Sequence, residues 1–335
     1  MKFPWPAAFP RIPTGEWVQA SLDTLAVKYD KVEHHGWYAN LDPTVDDLQV
    51  FLHTGDIAID YSGGTGIFID RLLKRIPGLA FGVVNVDASP KFLRLSFEKF
   101  RGEERVAFRW LRFLKDEKRL EFLDEVLGPA MVQRGVEAIV STNAIHLYYD
   151  LPSTLASWNR VLKTGGRVFI QSGNIRPPLS FKGKWIIDDT VDALARAAAQ
   201  IVREDSRWSA YRTVLDDPYA MAAHTVYRRR VFLPPRPLDY YAEALWDAGF
   251  ELVGVRTVPI EAIVDEWFEF LAVYHDAILG WVGGAEKVEG KPPSEQALQD
   301  RMALMRVAME RVFGGRGSFE ATWTYMTCAK RPAKA

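Results

Sequence analysis

The residues best suited to chemistry lie in a short apolar segment that ends in an acid and a glycine-rich turn, Ile57-Ala-Ile-Asp60-Tyr-Ser62-Gly63-Gly64-Thr65-Gly66. Such a turn between a strand and a helix offers backbone N–H groups to a ligand and lets it approach the backbone closely. The dinucleotide fingerprint fails, because the third glycine position is occupied by Ile69, and the P-loop lysine is also missing. A carboxylate at Asp60 suits a ligand that carries an ammonium group better than one that carries a pyrophosphate.

Short apolar runs and helical segments alternate along the chain from Asp56 onward. The predicted strands cover residues 57–61, 81–86, 106–113, 138–142, 168–171, 251–258 and 319–329. Continuous apolar strands joined by helices predict a mostly parallel sheet that is buried on both faces. Ligands bind such sheets beyond the carboxyl ends of the strands, so the residues that end these strands matter most for function.

The periodicity also predicts helices over residues 16–29, 117–127 and 260–280. About 60 residues from Ile175 interrupt the alternation, which is too long for a plain connection. We therefore expect helical caps over the ligand-binding edge. The predicted units are an N-terminal arm and lid helix at 1–45, a core at 46–174, a cap insertion at 175–237, and the end of the sheet with a second helical insertion (about 261–315) at 238–335.

Several segments in order resemble the class I S-adenosylmethionine-dependent methyltransferases. The glycine turn is similar to motif I, Asp-x-Gly-x-Gly-x-Gly, with Ser62 in place of the first glycine. Val86-Asp87-Ala88-Ser89-Pro90 resembles the end of the family's second strand, and Ala138-Ile-Val-Ser-Thr-Asn143-Ala-Ile-His146 resembles motif IV. The resemblance covers residues 56–172 and implies a doubly wound, mostly parallel seven-stranded α/β sheet with helical cap insertions.

The resemblance also implies S-adenosylmethionine as the cofactor and assigns residues to it. Asp87 would hold the ribose hydroxyls, although a cap on the next helix is the other interpretation. Where the family often has an acid after the third strand, this chain has Arg112 and Phe113, so adenine would be held by stacking and backbone contacts instead. The predicted cofactor-binding residues are Tyr29, Tyr38, Asp60, Ser62, Gly63, Gly64, Gly66, Asp87, Ala88, Arg112, Phe113 and Asn143.

The acceptor side is predicted from aromatic residues and histidines near the expected methyl position. His146 and His275 are candidate general bases, since imidazole titrates near neutral pH, although a lone histidine is more often structural. The aromatic residues could equally be the buried face of a helix. The predicted substrate-binding residues are His146, Tyr149, Trp185, Tyr227, Trp267 and Tyr274.

The amino-acid composition indicates which kinds of binding partner are expected. The 335 residues include 42 Lys and Arg and 43 Asp and Glu, and this balance argues against a nucleic-acid partner. The single cysteine, Cys328, excludes a disulfide framework, and no metal site is expected. Four prolines within the first 13 residues interrupt any signal-like apolar stretch, and no transmembrane segment is predicted. We expect a cytoplasmic enzyme for a small-molecule acceptor, with a homodimer as one possible assembly.

Two further functions stay open at this stage. One is a protein that binds S-adenosylmethionine but catalyses a different reaction, or none, because Ser62 and the missing adenine acid depart from the family pattern. The other is a nicotinamide-dependent oxidoreductase, which the failed fingerprint and Asp60 disfavour.

Overall fold

The chain was analysed as a computed structural model that describes residues 4–178 and 184–332. The outermost parts of the predicted arm and C-terminal unit, at 1–3 and 333–335, and residues 179–183 of the predicted cap insertion lie outside the described residues.

Seven strands form one sheet. They are β1 (Ile57–Tyr61), β2 (Gly82–Asp87), β3 (Val106–Trp110), β4 (Val136–Thr142), β5 (Leu162–Ser172), β6 (Phe250–Ile263) and β7 (Ser318–Lys330). Their order across the sheet is β6-β7-β5-β4-β1-β2-β3. Pairing is parallel throughout except at β7, which runs antiparallel to both β5 and β6. The predicted doubly wound, mostly parallel seven-stranded sheet is confirmed.

Fifteen helices accompany the sheet within the described residues. They are α1 (Thr24–Asp30), α2 (Asp42–Phe51), α3 (Ile67–Arg75), α4 (Pro90–Phe100), α5 (Leu123–Leu127), α6 (Pro129–Arg134), α7 (Leu151–Val161), α8 (Asp189–Glu204), α9 (Arg212–Leu215), α10 (Pro218–Val231), α11 (Leu238–Asp247), α12 (Val264–Val273), α13 (His275–Leu279), α14 (Glu286–Glu289) and α15 (Glu295–Phe313). Five short 3-10 helices lie at 16–19, 31–34, 36–41, 145–147 and 206–211.

The two faces of the sheet bury separate hydrophobic cores. Alternate residues of a strand point to opposite faces, so Ala58 packs into one core while Ile57 and Ile59 pack into the other. The first core also contains the N-terminal segment and the helices of both insertions. The second core contains α5, α6, α7 and α11. The insertions therefore share one continuous core with the face of the sheet that they cover.

Three predicted helices differ from the structure. The segment 16–29 is divided into a 3-10 helix and α1, because the Asp23 side chain accepts hydrogen bonds from two N–H groups and begins a new helix there. The first part of 117–127 belongs to a two-stranded hairpin, Phe113–Leu114 with Arg119–Leu120, and only Leu123–Leu127 is helical, as the short α5. The predicted helix at 260–280 begins later, because β6 continues to Ile263 in register with β7. In that case, tertiary strand pairing prevails over helical periodicity.

The N-terminal arm lies along the outer edge of the sheet. The backbone N–H of Phe108 in β3 donates to the carbonyl of Arg11 at 3.2 Å, and the Arg11 guanidinium donates to three backbone carbonyls nearby. The Trp5 ring packs directly over Gly82. In the described part of the chain, none of the helices has the length and apolar character needed to cross a bilayer.

Candidate cofactor and acceptor site

The turn between β1 and α3 requires glycine at several positions, because of its backbone conformation and its close contacts. Gly64 and Gly66 have φ values of 54° and 82°, in the left-handed region that favours glycine. A Cβ on Gly63 would lie 2.4 Å from Asp60 Oδ2, and one on Gly66 would lie 2.6 Å from the Phe100 ring. The turn is therefore folded tightly back on Asp60, as a cradle for a ligand requires.

Asp60 is the most unusual group at this turn. Its side chain is fully buried, and neither carboxylate oxygen has a hydrogen-bond partner among the described residues. Burial, and then the nearby Asp87, raise the pKa of Asp60 from 3.8 to about 8. A buried polar group without a partner is costly. A ligand cation at this point would supply the missing partner, so Asp60 fits the ammonium end of S-adenosylmethionine.

Asp87, at the end of β2, closes the turn from the other side. Its Oδ2 accepts from the N–H of Gly64 at 2.8 Å and its Oδ1 accepts from the N–H of Ser89 at 2.7 Å. Burial raises the pKa of Asp87 to about 6, although these backbone hydrogen bonds oppose the shift. Each carboxylate oxygen can accept a second hydrogen bond, which leaves capacity for two ribose hydroxyls. The cap of α4 is Ser89, whose side chain accepts from the N–H of Phe92.

Ser62 adopts a φ of 65°, so this serine takes the backbone conformation of the glycine that it replaces. Its N–H donates to the carbonyl of Val86 at 2.7 Å, which ties the turn to β2. The Tyr148 hydroxyl lies beside the turn, 2.8 Å from Ser141 Oγ and 3.3 Å from the carbonyl of Tyr61. Tyr148 was not identified from the sequence, because its partners come from two different strands.

The predicted adenine end of the site contains an ion pair. The Arg112 guanidinium and backbone N–H both donate to Glu121, which is buried. Phe113 begins the hairpin and is 60% exposed. The carbonyl of Ala88 accepts from Trp110 Nε1 at 3.2 Å. Glu121 was not predicted from the sequence, because a hairpin, not a helix, returns it to the end of β3. The roles of Ala88, Arg112 and Phe113 in adenine binding stay predictions.

Asn143 follows β4 and organises a buried polar network. It adopts a φ of 52°. Its Nδ2 donates to Asn40 Oδ1 at 3.0 Å, and its Oδ1 accepts from Trp323 Nε1 at 2.8 Å. Asn40 Oδ1 also accepts from Gln171 Nε2 at 2.9 Å. The Asn143 side chain is thus held between the N-terminal segment and β7. A cofactor contact of Asn143 stays a prediction, and the sequence analysis did not identify its three partners.

The two predicted general bases lie in different surroundings. His146 Nδ1 lies 3.0 Å from Ser172 Oγ at the end of β5, and burial lowers the pKa of His146 to about 4. His275 Nδ1 lies 2.7 Å from a nitrogen of Arg301 and 3.2 Å from Asp276 Oδ1, and its side chain is 27% exposed. Arg301 is fully buried and can only donate, so His275 Nδ1 acts as an acceptor there. The roles of His146 and His275 as bases are predictions.

Aromatic side chains from four parts of the chain meet above the turn. Tyr29 stacks on Phe92 with ring centroids 5.1 Å apart. Trp37 contacts Tyr38, Trp267, Phe270 and Trp323 at 4.2 to 6.2 Å. We call the following residues the aromatic cluster: Tyr29, Trp37, Tyr38, Phe92, Trp267, Phe270, Tyr274 and Trp323. It includes four of the residues predicted for cofactor or acceptor binding: Tyr29, Tyr38, Trp267 and Tyr274.

The other predicted acceptor residues lie outside this cluster. Tyr149 is fully exposed to solvent. Trp185 packs edge-on against Phe313 and lines a cavity of about 370 Å³ beside α8. Tyr227, on α10, is half-buried against the cap core. Binding of acceptor by these three residues stays a prediction.

Comparison with known proteins finds a family match within the sheet-forming core. Residues 59–170 match the family described as a methyltransferase domain. None of the curated protein sequences matches this chain. Among solved structures, the YcgJ protein from Bacillus subtilis is 14% identical, with 88% of this chain and 100% of that chain covered and a TM-score of 0.49. Phosphoethanolamine N-methyltransferase 2 from Haemonchus contortus, in complex with S-adenosyl-L-methionine, is 15% identical, with 92% of this chain and 57% of that chain covered and a TM-score of 0.45.

Proposed function

We propose that this chain is a class I S-adenosylmethionine-dependent methyltransferase that transfers a methyl group to a small, partly apolar or aromatic acceptor by in-line displacement. The match of residues 59–170 to a methyltransferase domain and the seven-stranded, mostly parallel sheet support this proposal. S-adenosylmethionine supplies an activated methyl group on a sulfonium centre. The chain itself has to bind and orient both molecules and keep water out.

The arrangement of Asp60 and Asp87 is the observation on which this proposal depends. The two carboxylates flank one glycine turn, one without any partner among the described residues and one with hydrogen-bonding capacity to spare. Asp60 would bind an ammonium group and Asp87 a pair of hydroxyls, while N–H groups in the first turn of α3, whose N-cap residue Gly66 has no side chain to cap them, would donate to other polar atoms of the ligand. A ligand with an amino-acid end and a ribose satisfies all three requirements.

The aromatic cluster supports the proposed type of acceptor. It combines large apolar faces with a few hydroxyl groups, which is the usual composition of a small-molecule pocket. The lid segment that contains Tyr29 and Tyr38 is fastened to the cap by two acids of α12: the N–H of Gly36 donates to Glu266 at 2.8 Å, and His35 lies 3.2 Å from Glu269. A covered site of this kind suits a small molecule better than a polymer.

We also propose a compartment and a type of partner for this enzyme. A single buried cysteine and a balanced charge fit a cytoplasmic enzyme whose partner is a small molecule and not a nucleic acid. A homodimer is a further expectation, which light scattering during gel filtration would test by the mass of the particle.

Calorimetric titration with S-adenosylmethionine and S-adenosylhomocysteine tests the cofactor assignment. We expect micromolar binding of both ligands by the wild-type chain. Asp87→Ala should bind at least tenfold more weakly, a loss of about 1.4 kcal/mol. Gly78→Ala is a suitable control, since a Cβ at that glycine meets nothing within 4 Å. Absence of binding by a folded wild-type chain, with or without candidate acceptors, would overturn the assignment, and tight binding of NAD would favour an oxidoreductase.

Formation of S-adenosylhomocysteine with a panel of small acceptors tests the transfer itself. Turnover should require the acceptor and should fall in Asp87→Ala. A chain that binds the cofactor but methylates nothing across aromatic amines, phenols, thiols and carboxylic acids would instead support the alternative of a non-methylating S-adenosylmethionine-binding protein.

A further inference from the structure

The aromatic cluster joins the cofactor turn to the end of β4. On one side, Phe92 stacks with Tyr29. The Phe92 ring also lies close to the turn, since a Cβ built on Gly64 would be 3.9 Å from it. On the other side, Trp323 stacks on Trp37 at 6.2 Å and donates to Asn143. The cluster therefore extends from the predicted cofactor turn to the end of β4, where the acceptor is expected.

Three tyrosines of this cluster come from separate segments of the chain. The Tyr38 hydroxyl donates to the Tyr29 hydroxyl at 3.4 Å. Burial raises the pKa of Tyr38 well above its usual range, and Tyr29 and Tyr274 add to this effect. Burial also raises the pKa of Tyr29 and of Tyr274. All three phenols are therefore neutral at physiological pH. They can donate hydrogen bonds to the molecule that receives the methyl group, but they cannot remove its proton.

No described imidazole near the cluster is well placed to remove a proton either. His146 is bonded to Ser172 and resists protonation because it is buried. The His35 side chain is only 10% exposed, and its Nε2 lies 3.2 Å from Glu269, so this ring nitrogen is taken up by the contact between the lid segment and α12. Asp87 accepts hydrogen bonds from the N–H groups of Gly64 and Ser89, and its remaining hydrogen-bonding capacity is assigned to the ribose hydroxyls of the cofactor. An acceptor hydroxyl would therefore have to lose its proton without a side chain suited to take it.

From these contacts we propose that the acceptor atom is the nitrogen of a neutral amine, and that the ring faces of the aromatic cluster stabilise the positive charge that the nitrogen gains. This inference rests on the proposed function. Aromatic faces attract cations, most strongly where water is excluded, and Trp37, Trp267 and Phe270 are the large rings at the centre of the cluster.

The bond changes balance once the amine is neutral, and an aliphatic amine, which is protonated in water near pH 7, first gives its proton to bulk water. The nitrogen lone pair forms the new bond to the methyl carbon as the sulfur–carbon bond breaks, and the electron pair of that bond stays on sulfur. The positive charge moves from sulfur to nitrogen. A tertiary amine gives a quaternary ammonium product. A primary or secondary amine gives an ammonium that loses its proton to water after transfer.

Binding of a stable cation tests the inference without any turnover. With S-adenosylhomocysteine saturating the cofactor site, calorimetry would compare phenyltrimethylammonium with tert-butylbenzene, which has the same shape but no charge. We expect the cation to bind at least tenfold more tightly. Equal affinity, or preference for the uncharged molecule, would overturn the proposal.

Two phenylalanine variants separate a cation-binding ring from a packing residue. Phe270→Leu removes a ring of the cluster and should reduce the preference for the cation to about threefold or less. Phe319→Leu removes a buried ring that stacks on Phe313, with centroids 4.4 Å apart, elsewhere in the same core. It should leave the preference unchanged. If both variants reduce it equally, the rings act through stability alone and the inference fails.

A methylation panel matched by shape distinguishes this inference from the proposed function. We expect transfer to N-methylbenzylamine and not to benzyl alcohol or phenol, with product masses read by spectrometry. Transfer to a hydroxyl but to no amine would refute the amine assignment and leave the methyltransferase function intact. Failure of S-adenosylhomocysteine to bind would instead refute the proposed function.

Discussion

The substitution Asp60→Asn removes a buried titratable carboxyl group and keeps the shape of the side chain. The wild-type carboxylate is completely buried, has no partner among the described residues, and has a pKa raised by burial to about 8. The same group is proposed to bind the cofactor's ammonium. The variant should therefore change stability and cofactor affinity in opposite directions.

The effect on stability follows from proton linkage. In the unfolded chain Asp60 loses its proton near pH 3.8, whereas in the folded chain it keeps the proton up to about pH 8. Between these values the folded state binds more protons, so the free energy of unfolding falls as the pH rises. With ~1.4 kcal/mol for each pKa unit, the wild type should lose about 4 kcal/mol from this group between pH 5 and pH 8. The amide introduced by Asp60→Asn does not titrate, so the free energy of unfolding of the variant should lack this decrease.

Denaturant unfolding at pH 5 and pH 8 measures this difference. Comparing the two pH values cancels any fixed cost of burying the new amide. Asp216→Asn, at an exposed position, is the control and should follow the wild type. Calorimetry between pH 6.5 and 7.5, above the pKa of Asp87, should show the wild-type affinity for S-adenosylmethionine rising with pH. The Asp60→Asn variant should bind at least tenfold more weakly, with a flatter pH dependence.

Two results would refute this reasoning independently. If Asp60→Asn and the wild type lose stability in parallel between pH 5 and pH 8, the carboxyl group does not titrate with a raised pKa. If the variant binds S-adenosylmethionine as tightly as the wild type, Asp60 does not hold the ammonium group, whatever its effect on stability.

Three further predictions concern the turn, the lid and the cap. Gly63→Ala would place a methyl group 2.4 Å from Asp60 Oδ2, so the turn must shift and calorimetry should show at least tenfold weaker cofactor binding; unchanged affinity would mean that the turn is not the cradle. Asn40→Ala leaves the amides of Asn143 and Gln171 without their shared acceptor, which should cost about 2 kcal/mol in denaturant unfolding. Arg301→Met removes the buried cation beside Asp276 and should cost about 3 kcal/mol, whereas Arg306→Met, at an exposed pair with Asp265, should cost less than about 1 kcal/mol; equal costs would contradict the assigned importance of burial.

The sheet and the glycine turn could be predicted because their signals are local. The apolar run before Asp60 specifies a buried strand, and the glycines that follow are required by backbone conformation and by contacts within the turn. Asp87 could be placed for the same reason, since it ends a predicted strand beside the first. Parallel strands then bring both carboxylates to one edge without further information.

The polar network around Asn143 could not be predicted, because its members are distant in sequence. Asn40 bonds to a residue 103 positions away, and Gln171 lies 131 positions from Asn40. No spacing rule connects them, and each looks like an ordinary loop or strand residue alone. The hairpin at 113–120 was missed for a related reason, since the pairing of its two short strands competes with a helical pattern that the sequence also satisfies.

Burial of the two carboxylates implies an order of events at the site. Asp60 has no exposed surface and Asp87 is 8% exposed, while Tyr29 of the lid segment stacks on the first turn of α4 beside them. We predict that a ligand reaches these groups when the lid segment moves away, which would break the contacts of Gly36 and His35 with α12 and the hydrogen bond from Tyr325 to the carbonyl of Asn40. Ammonium binding at Asp60 would then remove the cost of an unpaired buried carboxylate, and closure of the lid would restore these contacts. On this prediction, the energy that binds the cofactor is coupled to lid closure, and so to exclusion of water from the aromatic cluster before transfer.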